Sequence, residues 1–263
     1  YALALKESRE VIESGSAHLE STFEGLWRKY NQEITTAGGE SLWELPFSDG
    51  RGRMLFTFAV KHTAASDQFQ ANGANRGGVA GPLPTVFYDY DQADTRREVT
   101  CVPYKWGTPV NGIAKQELGA LDTWYFGKYR YEWMTRFVTS TNDDGINKLY
   151  MRYAEVLLIA AEAANEIEGP ASAANYLKEI RRRAFANADQ GQKVDAYVNA
   201  LSNKQDMFNA IVKEHKFEFT GEMERKQALI RWNLLKQNLE EAKLKMADLQ
   251  NRTGEYADVP TTL

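Results

Sequence analysis

The stretch that decides the fold class runs from Leu149 to Phe185 and reads LYMRYAEVLLIAAEAANEIEGPASAANYLKEIRRRAF. Its first half repeats apolar or small side chains at steps of three and four, which places them on one face of a helix. These residues are Ala154, Leu157, Leu158, Ala161, Ala164 and Ile167. Gly169 and Pro170 then end the helix, because glycine accepts a left-handed cap and proline cannot continue the hydrogen-bond ladder.

A second helix face follows directly after this break. It consists of Ala174, Leu177, Ile180 and Ala184. Because the link between the two patterns is short, we expect the helices to lie antiparallel with these faces in contact. The many alanines allow the two backbones to approach closely. The stretch therefore predicts a helical hairpin of the kind found in tetratricopeptide repeats.

The composition indicates a globular chain and excludes several classes of function. The 263 residues are 43% hydrophobic, which is enough to bury a full core. A formal net charge of −4 gives no electrostatic footprint for nucleic acid. The longest apolar run, residues 156–161, is far shorter than the ~20 residues of a membrane span. No signal peptide is visible, so we expect the chain to begin and end inside a longer gene product.

Four separated blocks resemble the SusD/RagB family of Bacteroidetes surface lipoproteins. Residues 152–158, RYAEVLL, with AEA at 161–163, resemble the family's RYAEVLL…AEA block, and IRRRA at 180–184 is similar to its IRxRA. EFTGE at 218–222 and LIRW at 229–232 resemble its E-L-x-G-E and L-x-R-W blocks, in the family's order. Three positions depart from the family: Ala228 stands in place of Asp, and Lys226 and Gln227 stand in place of aromatic residues.

The resemblance implies a mainly α, SusD-like fold with tetratricopeptide-type hairpins and a loop-rich region that contains short β strands. We expect a single SusD/RagB-like domain over residues 1–263, without the N-terminal part of the family. Within it, residues 1–34 would end the helical scaffold, 35–147 would form the loop-rich ligand-binding region, and 148–250 the helical signature region.

The resemblance also implies a function in nutrient uptake and polysaccharide utilisation. It predicts a non-catalytic glycan- or nutrient-binding protein at the outer-membrane cell surface, held by a lipid anchor absent from this chain. Its partner would be a SusC-like TonB-dependent transporter. A helical scaffold that binds a protein or peptide is the alternative, and a glycoside hydrolase comes third. Aromatic rings exposed on loops would favour glycan binding, and a groove between helix faces would favour the protein-binding scaffold. Two acidic side chains that face each other across a pocket would favour the hydrolase.

The loop-rich region supplies the candidate ligand-binding residues. An exposed ring can cover the apolar face of a sugar while amides and a guanidinium bond its hydroxyls. The predicted set is Trp106, Tyr104, Phe69, Asn72, Asn75 and Arg76. Residues 104–109 are predicted to form a tight surface turn that presents Trp106. Replacing this ring should then leave stability nearly unchanged.

Other patterns predict structure rather than chemistry. The single cysteine, Cys101, is interpreted as a small buried hydrophobe. The histidines at positions 18, 62 and 215 lack the spacing of a metal site. Residues 142–145, Asn-Asp-Asp-Gly, are predicted to form a helix-capping turn, with calcium binding as the alternative. Nucleophile and phosphate-loop motifs are absent, so we expect no catalysis and no cofactor.

Charged residues on the packed helices predict a buried or half-buried ion-pair network. These residues are Arg152, Glu155, Glu162, Arg181, Glu214, Glu218 and Arg231. Glu179 and Arg183, four residues apart, are instead expected to form a solvated pair of small energetic value.

The remaining elements are predicted from periodicity. Two helices are expected before residue 31, with a cap at Gly15. Strands are predicted at 54–60, 86–88 and 98–102. After a polar connector at 186–194, helices are predicted at 194–202, 204–220 and 229–249, and a loop at 251–263. The last helix is expected to pack through Leu234, Leu235, Leu239 and Leu244.

Overall fold

The computed structural model describes residues 1–34, 38–63, 76–138 and 142–259, and in them the chain is mainly helical. The helices are α1 (Ala2–Glu13), α2 (Phe23–Asn31), α3 (Met54–Phe58), α4 (Thr85–Asp89), α5 (Arg96–Thr100), α6 (Tyr153–Ile167), α7 (Pro170–Ala184), α8 (Asn187–Gln190), α9 (Tyr197–Asn199), α10 (Lys204–Phe219), α11 (Arg225–Arg231) and α12 (Leu235–Asn251). The strands are β1 (Ser41–Leu45), β2 (Cys101–Val102), β3 (Tyr104–Val110), β4 (Ile113–Leu118), β5 (Tyr125–Phe126) and β6 (Lys148–Arg152).

The first of two compact units comprises Tyr1–Leu45, Gln92–Arg96 and Lys148–Glu218. The hairpin predicted from the sequence forms its centre, because α6 packs along α7, and α1 packs on α6. Gly169 has φ of 101°, a left-handed conformation suited to glycine, and Pro170 is the first residue of α7. β1 and β6 pair antiparallel beside these helices.

The buried faces of the hairpin follow the predicted positions with two exceptions. Ala154, Leu157, Ala161 and Ala164 of α6 are fully buried. Ile167 is exposed, because it is the last residue of α6. On α7, the fully buried alanine of the first turns is Ala173, and Ala174 is only half-buried.

The second unit comprises Pro46–Asp91, Arg97–Asn147 and Phe219–Leu263. It contains the antiparallel hairpin of β3 and β4 and the short antiparallel pair of β2 and β5. Asn111 and Gly112 connect β3 to β4 with φ of 54° and 76°. Two successive left-handed residues match the twist of the strands, and Asn-Gly is the sequence that most favours such a turn.

The predicted strand at residues 54–60 is wrong, because residues 54–58 form helix α3. The carboxylate of Asp144 accepts a hydrogen bond of 2.9 Å from the N–H of Leu55 in the first turn of this helix. A capping group 89 residues away therefore supports a helix that the alternation pattern could not predict. The strand predicted at 86–88 is likewise helix α4, and the one at 98–102 is divided between α5 and β2.

The C-terminal half departs from the predictions at several places. The expected connector at 186–194 is largely helical, since a π-helical turn, Gly191–Ala196, joins α8 to α9. The long predicted helix at 229–249 is interrupted between α11 and α12, where Asn233 has φ of 57°. Leu239 and Leu244 are exposed, and Leu249 is the buried leucine of α12. Within the described residues, no helix is long and apolar enough to cross a membrane.

The C-terminal segment is also more ordered than the predicted loop. Gly254–Tyr256 form a 3-10 turn, and the Tyr256 ring is buried edge-on to Tyr88 with centroids 5.8 Å apart. Lys245 of α12 pairs with Asp89 of α4. The last turn of α12 and the segment after it are therefore part of the packed second unit.

Candidate functional site

A cluster of aromatic and charged side chains forms in the second unit around His62 and Arg76. Residues 64–75, which follow between them in sequence, lie outside the described residues. The N–H of His62 donates to the carbonyl of Arg76 at 2.7 Å, and the N–H of Arg76 donates back at 2.9 Å. On the other side, the N–H of Trp106 donates to the carbonyl of Lys61 at 2.9 Å. These backbone bonds bring Arg76, His62 and Trp106 together.

The Trp106 side chain is half-buried and held by several groups. With Tyr104 it packs against the buried residues Val60, Val102 and Tyr125. The Tyr104 ring meets it edge-on at 5.6 Å between centroids. Its Nε1 donates a hydrogen bond of 3.2 Å to Glu132 Oε1. The indole therefore has one defined orientation and keeps part of its surface accessible.

Glu132 is the charged group that holds this indole. Its other oxygen, Oε2, lies 3.4 Å from His62 Nε2, and Arg130 Nη1 lies 3.9 Å from Oε1. Burial opposes ionisation, but the hydrogen bond and charge of His62, with the charge of Arg130, outweigh it and keep the pKa of Glu132 below its ordinary value. The carboxylate therefore stays ionised near neutral pH and accepts the indole N–H.

Arg130 fixes the second ring of the cluster. Its Nη1 donates to the Tyr104 hydroxyl at 3.2 Å, and its Nε donates to the carbonyl of Gly127 at 2.8 Å. Burial raises the pKa of Tyr104, so this hydroxyl stays protonated and can donate in turn. The cluster thus offers two oriented rings, those of Trp106 and Tyr104, and the phenolic hydroxyl of Tyr104.

Glycine is required where the chain leaves this cluster after Arg76. Gly77 has φ of 69°, and a Cβ there would lie 2.5 Å from the carbonyl oxygen of Val60. A Cβ at Gly78 would lie 2.7 Å from the Tyr125 ring. The pair lets the backbone pass close over residues 59–60, which keeps Arg76 in register with His62.

The structure places the predicted ligand residues in different settings. Trp106 and Tyr104 lie together in the cluster, but in strand β3, so the predicted tight turn at 104–109 is wrong and the turn lies at 111–112. Arg76 is almost fully buried, so its guanidinium is not the exposed group that we predicted. Phe69, Asn72 and Asn75 lie outside the described residues.

His62, Glu132 and Arg130 also belong to the cluster, and none of them was among the ligand residues predicted from the sequence. No local motif marks them, because His62 and Glu132 are seventy residues apart and meet only through the paired backbone segments. In the described ranges, no group of three or more His, Cys, Asp or Glu side chains could hold a metal ion. Of residues 142–145, Asp144 serves as a cap: it bonds the N–H groups of Leu55 and Ile146.

Three of the four signature blocks contribute residues to a buried ion-pair network in the first unit. Among the described residues it contains four arginines and four carboxylates, namely Arg96, Arg152, Arg181, Arg183, Asp94, Glu40, Glu214 and Glu218. The expected network is therefore present, with Arg183 inside it instead of in a solvated pair with Glu179. Glu162 is buried and Glu155 half-buried, whereas Arg231 is exposed.

Comparisons with known proteins support the family that the signature blocks resemble. The SusD family model matches residues 61–261. The SusD-like protein P25 of Formosa agariphila is 39% identical over 89 residues, which are 34% of this chain and 16% of that protein. The SusD-like protein P2 of the same organism is 32% identical over 153 residues, or 56% of this chain and 30% of that protein. The chain thus spans less than a third of these relatives.

Solved structures show the same fold. A SusD homolog from Bacteroides thetaiotaomicron matches with a TM-score of 0.76 and 24% identity over 90% of this chain and 49% of that one. Surface glycan-binding protein A from the same organism, solved in complex with laminarihexaose, matches with a TM-score of 0.59 and 20% identity. That match covers 88% of this chain and 50% of the other. Because the SusD family model matches most of the chain and the fold is that of solved SusD homologs, this chain belongs to the SusD family.

Proposed function

We propose that the chain is part of a non-catalytic glycan-binding protein and that the Trp106 indole contacts the ligand. The observation that carries this proposal is the hydrogen bond from Trp106 Nε1 to the largely buried Glu132, which orients a partly accessible ring beside His62. An oriented ring suits the C–H face of a sugar. The laminarihexaose complex of a fold relative supports the ligand class.

The remaining predicted residues take different roles in this proposal. Tyr104 contributes its edge and its phenol, which Arg130 holds in place. Phe69, Asn72 and Asn75, in segment 64–75, would supply a second ring and amide groups for sugar hydroxyls. Arg76 would help to position the site through its backbone hydrogen bonds with His62, because its side chain is buried.

We propose binding without bond cleavage. Hydrolysis of a glycoside needs two carboxyl groups that face the scissile bond about 5 to 10 Å apart. In the described part of the Trp106 cluster, the carboxylate is that of Glu132. The indole N–H bonds its Oε1, and His62 Nε2 lies 3.4 Å from its Oε2. We therefore expect no release of reducing ends from any polysaccharide.

The cellular setting is proposed from family membership. The whole protein would sit at the outer-membrane surface through a lipid anchor and deliver its ligand to a SusC-like TonB-dependent transporter. Co-purification of the full-length protein with that transporter from membranes tests this part independently of ligand binding.

Isothermal titration against a panel of oligosaccharides that includes laminarihexaose tests the ligand site. Trp106→Ala should weaken binding of the best ligand by about 1.5–3 kcal/mol, or roughly 10- to 150-fold. Trp106→Phe should retain part of the affinity, because a ring face remains. Phe137→Ala, which removes an exposed ring elsewhere in the second unit, is the matched control and should bind normally.

The packing of Trp106 changes the expected effect of its replacement on stability. Because Trp106 packs on Val60 and Val102 and bonds Glu132, its replacement by alanine should also lower stability, and titrations are made well below the measured Tm. Unchanged affinity in folded Trp106→Ala would contradict the proposed site. Sugar release that disappears when one acidic pair is replaced would instead identify a hydrolase.

A further inference from the structure

An aromatic pair lies on the strand ladder of the first unit, apart in sequence from the Trp106 cluster. Trp43 of β1 is 64% exposed, and its ring stacks on Tyr150 of β6 with centroids 5.1 Å apart and an angle of 29°. The ammonium of Lys148 lies 4.2 Å from the centroid of the Tyr150 ring. We call Trp43 and Tyr150 the β1–β6 aromatic pair.

The backbone that carries this pair is held in place. Trp43 pairs with Met151 in the antiparallel ladder, and Ser41 pairs with Arg152, a member of the buried ion-pair network. The Tyr30 hydroxyl donates to Glu44 Oε1 at 2.6 Å and so ties β1 to helix α2. An exposed indole on a rigid strand, stacked on a second ring, loses little conformational entropy when a ligand covers it.

We propose that the exposed face of Trp43 is a second carbohydrate-contact site, which takes one pyranose ring through its C–H face. The choice of a sugar as the occupant rests on the function proposed above. Glycans are repeating polymers, so a second contact on the same protein can hold another segment of one chain and raise the overall affinity without new chemistry.

The size of the exposed surface favours a sugar over a protein partner. An indole side chain of at most about 250 Å² that is 64% exposed leaves on the order of 150 Å² to cover. Stable protein interfaces bury roughly 800 Å² on each partner. The flanking Leu42 and Leu45 are only 40% and 44% exposed, and they add too little to reach that area.

Fluorine NMR of the full chain labelled with 5-fluorotryptophan tests this site separately from the Trp106 site. The six tryptophans give separate signals, and Trp43→Phe and Trp106→Phe assign the two of interest. The probes are laminarihexaose and a panel of α- and β-linked hexasaccharides up to millimolar concentration. We expect the Trp43 signal to shift saturably, with a dissociation constant on the order of 1 mM, and the fully buried Trp27 signal to stay fixed.

The outcomes separate the two proposals. A Trp43 shift that persists in Trp106→Ala supports the second site, even if no sugar moves the Trp106 signal and the proposed ligand site fails. A Trp43 signal that no oligosaccharide moves overturns this inference, whether or not Trp106 responds. A Trp43 signal that instead changes on dilution of the protein alone would assign the surface to contacts between copies and would also overturn it.

Discussion

Arg152 Nη1 lies 2.6 Å from Glu40 Oε1 and also 2.6 Å from Glu218 Oε1, and all three side chains are buried. Arg183 pairs with the same two carboxylates, and Arg96 Nη1 reaches Glu218 Oε2 at 2.9 Å. Burial opposes ionisation of Glu218, but the charges of Arg183, Arg152 and Arg96 outweigh it and hold its pKa well below the ordinary range. Glu218 is thus the anion on which three arginines converge.

Glu218→Ala should therefore be strongly destabilising. It leaves three buried guanidinium groups with an incomplete set of carboxylates, and breaking a buried pair from one side costs about 3–5 kcal/mol. The free energy of unfolding from urea denaturation, followed by circular dichroism, measures this loss.

The matched control is Glu168→Ala, which breaks the half-exposed pair of Arg9 and Glu168 at 2.6 Å. A pair of this exposure contributes about 0–1 kcal/mol. Equal losses in the two variants would mean that the network in the first unit is not protected from water, contrary to the structure.

Ala161→Leu tests the hairpin of α6 and α7. Ala161 is fully buried, so the added atoms must displace packed neighbours, and we expect a loss of about 1–3 kcal/mol in the free energy of unfolding. Ala171→Leu makes the same change at an exposed position in the first turn of α7 and should have little effect. An unchanged denaturation midpoint in Ala161→Leu would be inconsistent with this packing.

Asp144 should make stability fall with rising pH in the acid range. Burial raises the pKa of Asp144 from its ordinary 3.8 to about 6, although backbone N–H groups of Leu55 and Ile146 favour the anion. The folded state therefore binds the proton more tightly than the unfolded state. The stability from this proton is fully present below about pH 4 and is lost as pH rises through about 6, a change of about 3 kcal/mol.

The comparison with Asp144→Asn isolates this contribution. The difference in free energy of unfolding between wild type and variant should shift by about 2 kcal/mol against the wild type from pH 4 to pH 6, and by about 3 kcal/mol over the wider range from pH 3 to pH 8. Asp49→Asn, which makes the same substitution at a largely exposed aspartate in the same unit, is the matched control. A constant difference between wild type and Asp144→Asn across this range would refute the raised pKa.

Cys101 should be unreactive while the protein is folded. The side chain is buried, and burial raises the pKa of its thiol to about 12, which leaves almost no thiolate at pH 8. Mass spectrometry after iodoacetamide treatment should find no adduct in native buffer and one adduct in urea. Rapid labelling of protein with a native circular dichroism spectrum would show that this part of the second unit opens readily.

The sequence by itself determined the features that depend on neighbours along the chain. The hairpin of α6 and α7 was predictable because its apolar period, the Gly169-Pro170 break and the abundance of alanine all lie within 37 residues, Leu149 to Phe185. Helix α10 was predictable for the same reason. The four blocks that resemble the family lie within residues 61–261, which the SusD family model matches. Four of the network's eight members were also predicted from the sequence, namely Arg152, Arg181, Glu214 and Glu218.

Only the tertiary structure decided which distant groups meet. Glu40 lies 112 residues from Arg152, and nothing near it in sequence marks it as that residue's buried partner. Asp144 caps α3 from 89 residues away and so favours a helix where alternation predicted a strand. Glu132 likewise orients Trp106 within a strand instead of a turn. Burial makes such pairings decisive, because an unpaired charge or N–H out of water costs more free energy than any local conformational preference supplies.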